Sequence, residues 1–307
     1  MTIQMTAYLN GDFVAAEDCK LPVFDLGIVL SAAVTDLVRT FNGRPYRLQD
    51  HIERFYRSCK HAYIEPTVSL DDSIAITEEL VERNLSVYEH REIAIVYYMT
   101  AGVNSMYAGA AAGADQLTPT YVQHCFPLPF HLWTHFFTDG IHCITPSIRH
   151  VPPETLTSKI KHRNRLHMWI GDKQTQLTDP KAMSLFLDMD GNVSETGGSN
   201  FVIYRGGTVV SPKRRNILWG ISVEVLSEIL ADMGVPFVED DIQLYDVVNA
   251  DEAWVPTTPY CLAPVVKING TPIGDGKPGA MWRQVLDRWS ELVGKDIYQE
   301  VCECEQP

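Results

Sequence analysis

The sequence predicts an α+β protein of two domains, and three observations carry that prediction. The chain has 307 residues, more than one ordinary core serves and enough for two. Helical and strand-like apolar patterns intermix in both halves without the strict alternation of a doubly wound sheet. A small, glycine-rich stretch over 101–118, running Ala-Gly-Val-Asn-Ser-Met-Tyr-Ala-Gly and onward, reads as a junction. The division is therefore expected there or shortly after, giving residues 1–124 and 125–307.

In chain order, residues 6–15 read as a hairpin closed by Asn10-Gly11, a dipeptide that accepts the positive φ of a tight turn. Residues 47–61 read as a helix, with Leu48, Ile52, Phe55 and Cys59 on one stripe. Residues 92–99, Glu-Ile-Ala-Ile-Val-Tyr-Tyr-Met, show little polar alternation and read as a strand buried on both faces. In the second half, Ser184–Met189 and Phe201–Tyr204 read as strands around the Asp190-Gly191 turn. Gly206-Gly207 turns the chain into Val209-Val210. Residues 221–233 read as a helix with Ile221, Val225, Ile229 and Met233 in register. Val265–Gly270 is a short strand, and residues 280–293 form a closing helix.

Composition excludes several classes. A net charge of −14 repels phosphate over most of the surface and argues against nucleic-acid binding. No apolar run approaches the roughly 18 residues needed to cross a bilayer, and Met1–Gly11 lacks the pattern of a signal peptide. Seven cysteines, at 19, 59, 125, 143, 261, 302 and 304, are odd in number and scattered, which points to a reducing, cytoplasmic setting. Cys302-Glu-Cys304 is too tightly spaced for a redox or zinc pair, and no metal site is expected.

Two basic runs break the acidic trend. Lys213-Arg214-Arg215 reads as a solvated surface. Lys159–Arg165 crowds basic and imidazole side chains just ahead of the apolar helix pattern of Leu166, Trp169 and Ile170, where the macrodipole disfavours cations. A bound anion or a Schiff-base lysine would justify it, because only a neutral amine attacks an aldehyde; a surface patch is the plainer explanation. Glu195-Thr-Gly-Gly-Ser-Asn200 reads as a loop between strands that either approaches a ligand or merely turns. Gly220-Ile221-Ser222 opens a helix, where Ser222 either caps the helix or touches a phosphate. Thr257-Thr258-Pro259 places two hydroxyls before a turn.

Taken in order, these segments resemble the fold type IV pyridoxal-phosphate enzymes. That group holds the branched-chain aminotransferases, D-amino-acid transaminases, R-selective amine transaminases and aminodeoxychorismate lyase. The resemblance runs from Leu9-Asn-Gly-Asp-Phe-Val14 through Asp25-Leu-Gly-Ile-Val, Arg39-Thr-Phe-Asn-Gly-Arg44 and Arg47–Arg54 with Ser58. It continues through Lys161-His-Arg-Asn-Arg-Leu166, Asp190-Gly-Asn-Val-Ser-Glu195, Gly198-Ser-Asn200 and Ile217-Leu-Trp-Gly-Ile-Ser222 to Ile273-Gly-Asp-Gly276. It implies a smaller N-terminal α/β domain and a larger β-rich, cofactor-binding C-terminal domain carrying the Schiff-base lysine. It further implies pyridoxal 5′-phosphate as cofactor, ping-pong exchange between an amino donor and a keto-acid acceptor, and a homodimer.

By matched position, Lys161 is the Schiff-base lysine, with Lys159 as a rival. Glu195 is the carboxylate that keeps the pyridine nitrogen protonated. Arg54, Ile221, Ser222 and Thr258 take the cofactor phosphate, and Asn200 falls within the same cofactor-binding set. Arg54 lies roughly 120° from its helix's apolar stripe at about 100° per residue, so helical pattern alone makes it a solvated cation.

The substrate side departs from the family. Leu30 stands where a pocket tyrosine is usual, Asp36 where a glutamate is, and Ala101 where D-amino-acid transaminases carry an arginine. The turn Thr257-Thr258-Pro259 ends on a residue with no N–H to offer. A substrate carboxylate therefore falls to Arg39, Arg163 or Tyr260, or the substrate lacks one. The functions left open are an aminotransferase acting on a branched-chain-like or other amino acid, a lyase or amine transaminase of the same fold, and a non-enzymatic cofactor binder. Retention of both Lys161 and Glu195 argues against the last.

Overall fold

Runs of β-branched and aromatic residues build two sheets, each in its own contact-defined unit of the computed structural model, which describes residues 4–88, 92–104 and 117–303. One unit comprises residues 1–128 together with 160–164, and the other 129–159 with 165–307. The 101–118 junction falls largely outside the described residues, as does Cys304.

The first unit holds strands β1 (Thr6–Leu9), β2 (Asp12–Ala15), β3 (Ala33–Phe41), β4 (Arg44–Pro45), β5 (Ile93–Thr100) and β6 (Thr120–Pro127). They form one sheet in the order β2-β1-β6-β5-β3-β4. The expected hairpin is present, with Leu9 opposite Asp12 and both Asn10 (φ 49°) and Gly11 (φ 113°) left-handed. The short helix α1 (Leu26–Val29) leads into β3. Helices α2 (Leu48–His61) and α3 (Leu70–Leu85) cover one face of the sheet. Ile52, Phe55, Cys59, Leu80 and Val81 pack there against Val34, Val38, Ile95, Tyr97 and Met99. Strand alternation turns Thr35, Leu37 and Arg39 to the other face, opposite Tyr98, Val96 and Ala94.

The second unit holds β7 (Ile141–Ile144), β8 (Met183–Leu187), β9 (Val193–Thr196), β10 (Val202–Arg205), β11 (Thr208–Pro212), β12 (Phe237–Asp240), β13 (Glu252–Thr257), β14 (Cys261–Ile268) and β15 (Thr271–Pro272). Their sheet runs β12-β11-β10-β13-β14-β7-β8-β9, with β15 paired to β14. Between the strands lie the short helices α4 (Thr134–Thr138) and α7 (Leu244–Val248) and the longer α5 (Leu166–Thr178) and α6 (Ile221–Asp232). Helices α8 (Ala280–Val293) and α9 (Ile297–Cys302) follow the last strand. The three long ones match apolar periodicity in the sequence, but α5 does so inversely. Its Leu166, Trp169 and Leu177 are 67%, 59% and 89% exposed. Strand β14 begins at Cys261 instead of the expected Val265, because Cys261–Pro264 pair with Trp254–Thr257 of β13. No helix among the described residues is long and apolar enough to cross a membrane.

Candidate active site

In the first unit, a polar group is built into the helix–sheet core. His51, Arg54 and Ser58 stand at i, i+3 and i+7 on α2, forming a second stripe beside the apolar one, and all three are buried. Arg54 is therefore not the solvated cation that the helical pattern suggests. Its Nε donates to Asp36 Oδ2 at 2.8 Å and its Nη2 to Oδ1 at 2.7 Å. This fork fixes the guanidinium plane. His51 Nδ1 lies 2.8 Å from Asp36 Oδ1. Burial alone would raise the Asp36 carboxyl, but the Arg54 charge and the hydrogen bonds from His51 and Arg54 hold it far below the usual carboxylate range. Burial, against the pull of Asp36, keeps His51 below its ordinary value, so a neutral ring donates from Nδ1.

The lysine segment is pinned beside this cluster. Lys161 N–H donates to Ser58 Oγ at 3.3 Å, and Ser58 Oγ in turn donates to the Arg54 carbonyl at 3.0 Å. Thr35 N–H donates to the Lys161 carbonyl at 2.8 Å and Arg163 N–H to the Ala33 carbonyl at 3.0 Å. Residues 160–164 thus run antiparallel along the start of β3, with His162 opposite Val34. The basic run precedes α5, which starts at Leu166, and this removes most of the conflict with the helix dipole. Lys159 clusters with the other unit.

In the second unit, Glu195 belongs to β9, not to a loop, and is buried. Its Oε2 accepts from Leu218 N–H at 3.2 Å and from Asn200 Nδ2 at 3.4 Å. Asn200 Nδ2 also donates to the Leu218 carbonyl at 2.7 Å, so the amide ties the strand pair to the approach of α6. Gly220 is the N-cap of helix α6 and offers no side-chain cap, while Ile221 and Ser222 are buried. Val223 N–H donates to the Gly220 carbonyl at 3.0 Å, which leaves the N–H groups of Ile221 and Ser222 to gather at a buried, dipole-positive end that suits a phosphate. Gly220 is required: a Cβ there would sit 2.4 Å from Asn200 Oδ1. Gly220→Ala is expected to cost about 1–3 kcal/mol of stability through overpacking and to weaken cofactor retention, read by denaturant unfolding and dialysis. Wild-type behaviour in both would show that Asn200 gives way freely.

Thr257 closes β13 and is buried, and Thr258 is half-buried in the turn that follows. Tyr260 packs in an aromatic cluster, 5.0 Å from the Trp133 ring centre and 5.7 Å from that of Phe136. Arg39 is 1% exposed, with Nε donating to the Thr40 carbonyl at 3.0 Å and its guanidinium 3.8 Å over the Phe41 ring. Leu30 caps the end of α1 and is 48% exposed. Arg163 is exposed, 5.6 Å over the Tyr98 ring. The second basic run is a solvated surface as expected, with Arg214 paired to Glu239 at 2.6 Å and Arg215 to Glu154 at 2.9 Å. Sequence reasoning missed His51 as the third member of the Asp36 cluster, and it missed His150, whose Nε2 lies 3.2 Å from Glu195 Oε1.

These arrangements supply an amine on a pinned backbone, a clasped buried carboxylate and an uncapped helix end. The chain belongs to the class IV aminotransferases, whose family profile, Amino-transferase class IV, matches residues 33–268. It is a pyridoxal-phosphate-dependent transaminase, and the uncapped α6 end and the held Glu195 carboxylate fit the phosphate and pyridine nitrogen of that cofactor. A Methanocaldococcus jannaschii protein provisionally named a branched-chain-amino-acid aminotransferase is 28% identical over 96% of this chain and all of its own length. The D-alanine aminotransferase of Staphylococcus aureus strain N315 is 26% identical over 93% of this chain and 97% of its own. A branched-chain amino acid aminotransferase of T.th., solved with N-(5′-phosphopyridoxyl)-L-glutamate, has the same fold. Its TM-score is 0.83 at 20% identity, over 96% of this chain and 97% of that one.

Proposed function

We propose that this transaminase exchanges an amino group between an amino acid with an apolar side chain and a 2-oxo acid by a ping-pong route. Pyridoxal phosphate, when bound, supplies the electron sink that makes the substrate's α-proton labile. Lys161 would hold it covalently, and its amine would move a proton from the substrate carbon as base and return it as acid. Glu195 holds the pyridine N–H. Arg54, the N–H groups of Ile221 and Ser222, and the Thr258 hydroxyl hold the phosphate. Asn200 keeps Glu195 facing its partner, and Thr257 and Leu30 border the substrate. The observation that carries the reading is the backbone clamp on Lys161, which pins the segment that bears the amine from both of its polar sides.

Of the three residues considered for a substrate carboxylate, Arg39 and Tyr260 are buried and Arg163 is exposed. Arg163 is therefore assigned that contact, beside Tyr98. The same face of the sheet carries Leu37, Val96 and Phe126, which favours an apolar side chain. Arg163→Ala is expected to raise KM for both amino and oxo acid about 10- to 100-fold, the loss of one charge-assisted contact of about 1.5–3 kcal/mol. Equal losses with a substrate amine lacking a carboxylate would contradict the assignment. Holoenzyme mixed with single amino acids, L-branched-chain against D-alanine, tests the substrate class by the spectral change of the half-reaction. Turnover without any oxo-acid acceptor would point instead to a lyase.

The exposed stripe of Leu166, Trp169, Ile170 and Leu177 on α5 supports a homodimer, since apolar patches of this kind are usually covered. The odd, scattered cysteines support a cytoplasmic location, and 1–124 and 125–307 are proposed as the domains.

A further inference from the structure

We propose that His150 is the positioning residue for Glu195: an imidazolium between the Val151 carbonyl and the Glu195 carboxylate holds that carboxylate in place, so that the hold on the cofactor ring depends on pH. The proposal rests on the role of Glu195 given above.

The geometry favours two protons on the ring. His150 N–H donates to the Leu187 carbonyl at 2.9 Å, which fixes the backbone against the end of β8. Nδ1 lies 3.1 Å from the Val151 carbonyl and Nε2 lies 3.2 Å from Glu195 Oε1. A carbonyl and a carboxylate oxygen only accept. A neutral ring can satisfy one of them and must turn a lone pair toward the other. The Nε2–Oε1 approach is an ion-pair contact, not a well-aligned hydrogen bond, so charge matters in it more than direction. Both side chains are nearly buried, at 7% and 10% exposure, where such a pair is poorly screened.

The groups around the ring agree with this. His167 of α5 meets it edge-on at 5.4 Å between centres. Burial, then the charge on His150, pushes His167 down to about 4, while Glu195 and Arg165 act on it in opposite senses. His167 is thus a neutral wall and does not compete for the proton. Phe186 of β8 closes another side at 6.4 Å. Asp188, just after β8, adds negative charge; it accepts from the N–H groups of Asp190 and Asn192 and from Asn216 Nδ2. Burial alone would lower His150, but Glu195, the Val151 carbonyl and Asp188 outweigh it and leave His150 above its ordinary value.

Below that raised pKa the ring is charged and Glu195 is clasped on both oxygens, by His150 on one side and by Leu218 and Asn200 on the other. As pH rises through it the Nε2 proton leaves and its lone pair faces Glu195, which loosens. The same linkage makes the pair's contribution to folding present below the unfolded histidine pKa of about 6.5 and lost above the folded one.

The test follows the His150 ring by NMR in holoenzyme labelled at histidine Cε1, alongside the dissociation constant of pyridoxal phosphate across pH. The wild-type ring is expected to titrate above about 6.5, and Glu195→Gln is expected to lower its midpoint by about one unit. His150→Gln should weaken cofactor binding about tenfold at low pH, the factor that one pKa unit represents. His150→Arg, a permanent cation, should keep tight binding and lose the pH step that wild type shows beyond the cofactor's own titration. A midpoint unmoved by Glu195→Gln overturns the pair, even if that variant alters cofactor binding. A midpoint that falls while cofactor affinity stays unchanged shows instead that Glu195 does not hold the ring, and the proposal falls with that reading.

Discussion

With Lys161 replaced by alanine, the enzyme no longer forms a reducible adduct with pyridoxal phosphate, and turnover falls by at least about 10²–10⁴-fold, the share of general acid–base transfer alone. The loss is chemical and not structural. Two of the contacts that hold Lys161 run through its backbone, from its N–H to Ser58 Oγ and from Thr35 N–H to its carbonyl, and alanine keeps both. Unfolding should therefore shift little while the adduct disappears. Lys159→Ala, in a residue that clusters with the other unit, should leave both adduct and turnover intact. A Lys161→Ala protein that still turned over at wild-type rate would return the function to a fold relative using another amine.

Asp36→Ala has the largest expected effect on stability, about 3–5 kcal/mol, because it leaves a buried guanidinium without its counter-charge. Arg54 is 6% exposed and Asp36 is 0% exposed, so water does not readily replace the lost carboxylate. The Arg54 plane, set by the fork to Asp36, is released as well, and phosphate affinity should fall beyond what unfolding explains. Asp36→Asn keeps the shape and loses the charge, and should fall between the two. The pH behaviour has one sign: the folded carboxyl pKa is depressed, so its stabilisation is present above the unfolded value of about 3.9 and is lost as pH falls below it. Acid unfolding of the Asn variant should accordingly be shallower than wild type. An Asp36→Ala protein as stable as wild type would mean that the core cluster is adequately hydrated.

Elements whose pattern is local are legible in the sequence. Asn10-Gly11 turns where its backbone preference says it should, and the apolar stripe of α2 and the run Ile93–Thr100 lie where their periodicity puts them. Strand β3 is not legible, because Asp36 and Arg39 sit in a strand whose two faces are both buried, one charge matched by a helix and the other stacked on Phe41. Arg54 misleads for a related reason. Helix α2 buries two stripes, and the second is polar, so its register shows only when its partner Asp36 is known. Glu195 reads as a loop residue because the glycines after it dominate a four-residue strand. The order of motifs along the chain carries the enzyme class, but His150 leaves no trace, being 45 residues from the carboxylate it meets.

The identity of the amine that carries the cofactor decides the chemistry. Borohydride reduction of the holoenzyme followed by peptide mass spectrometry should place a single pyridoxyl adduct on Lys161. An adduct on Lys159, or none after incubation with pyridoxal phosphate, would contradict it.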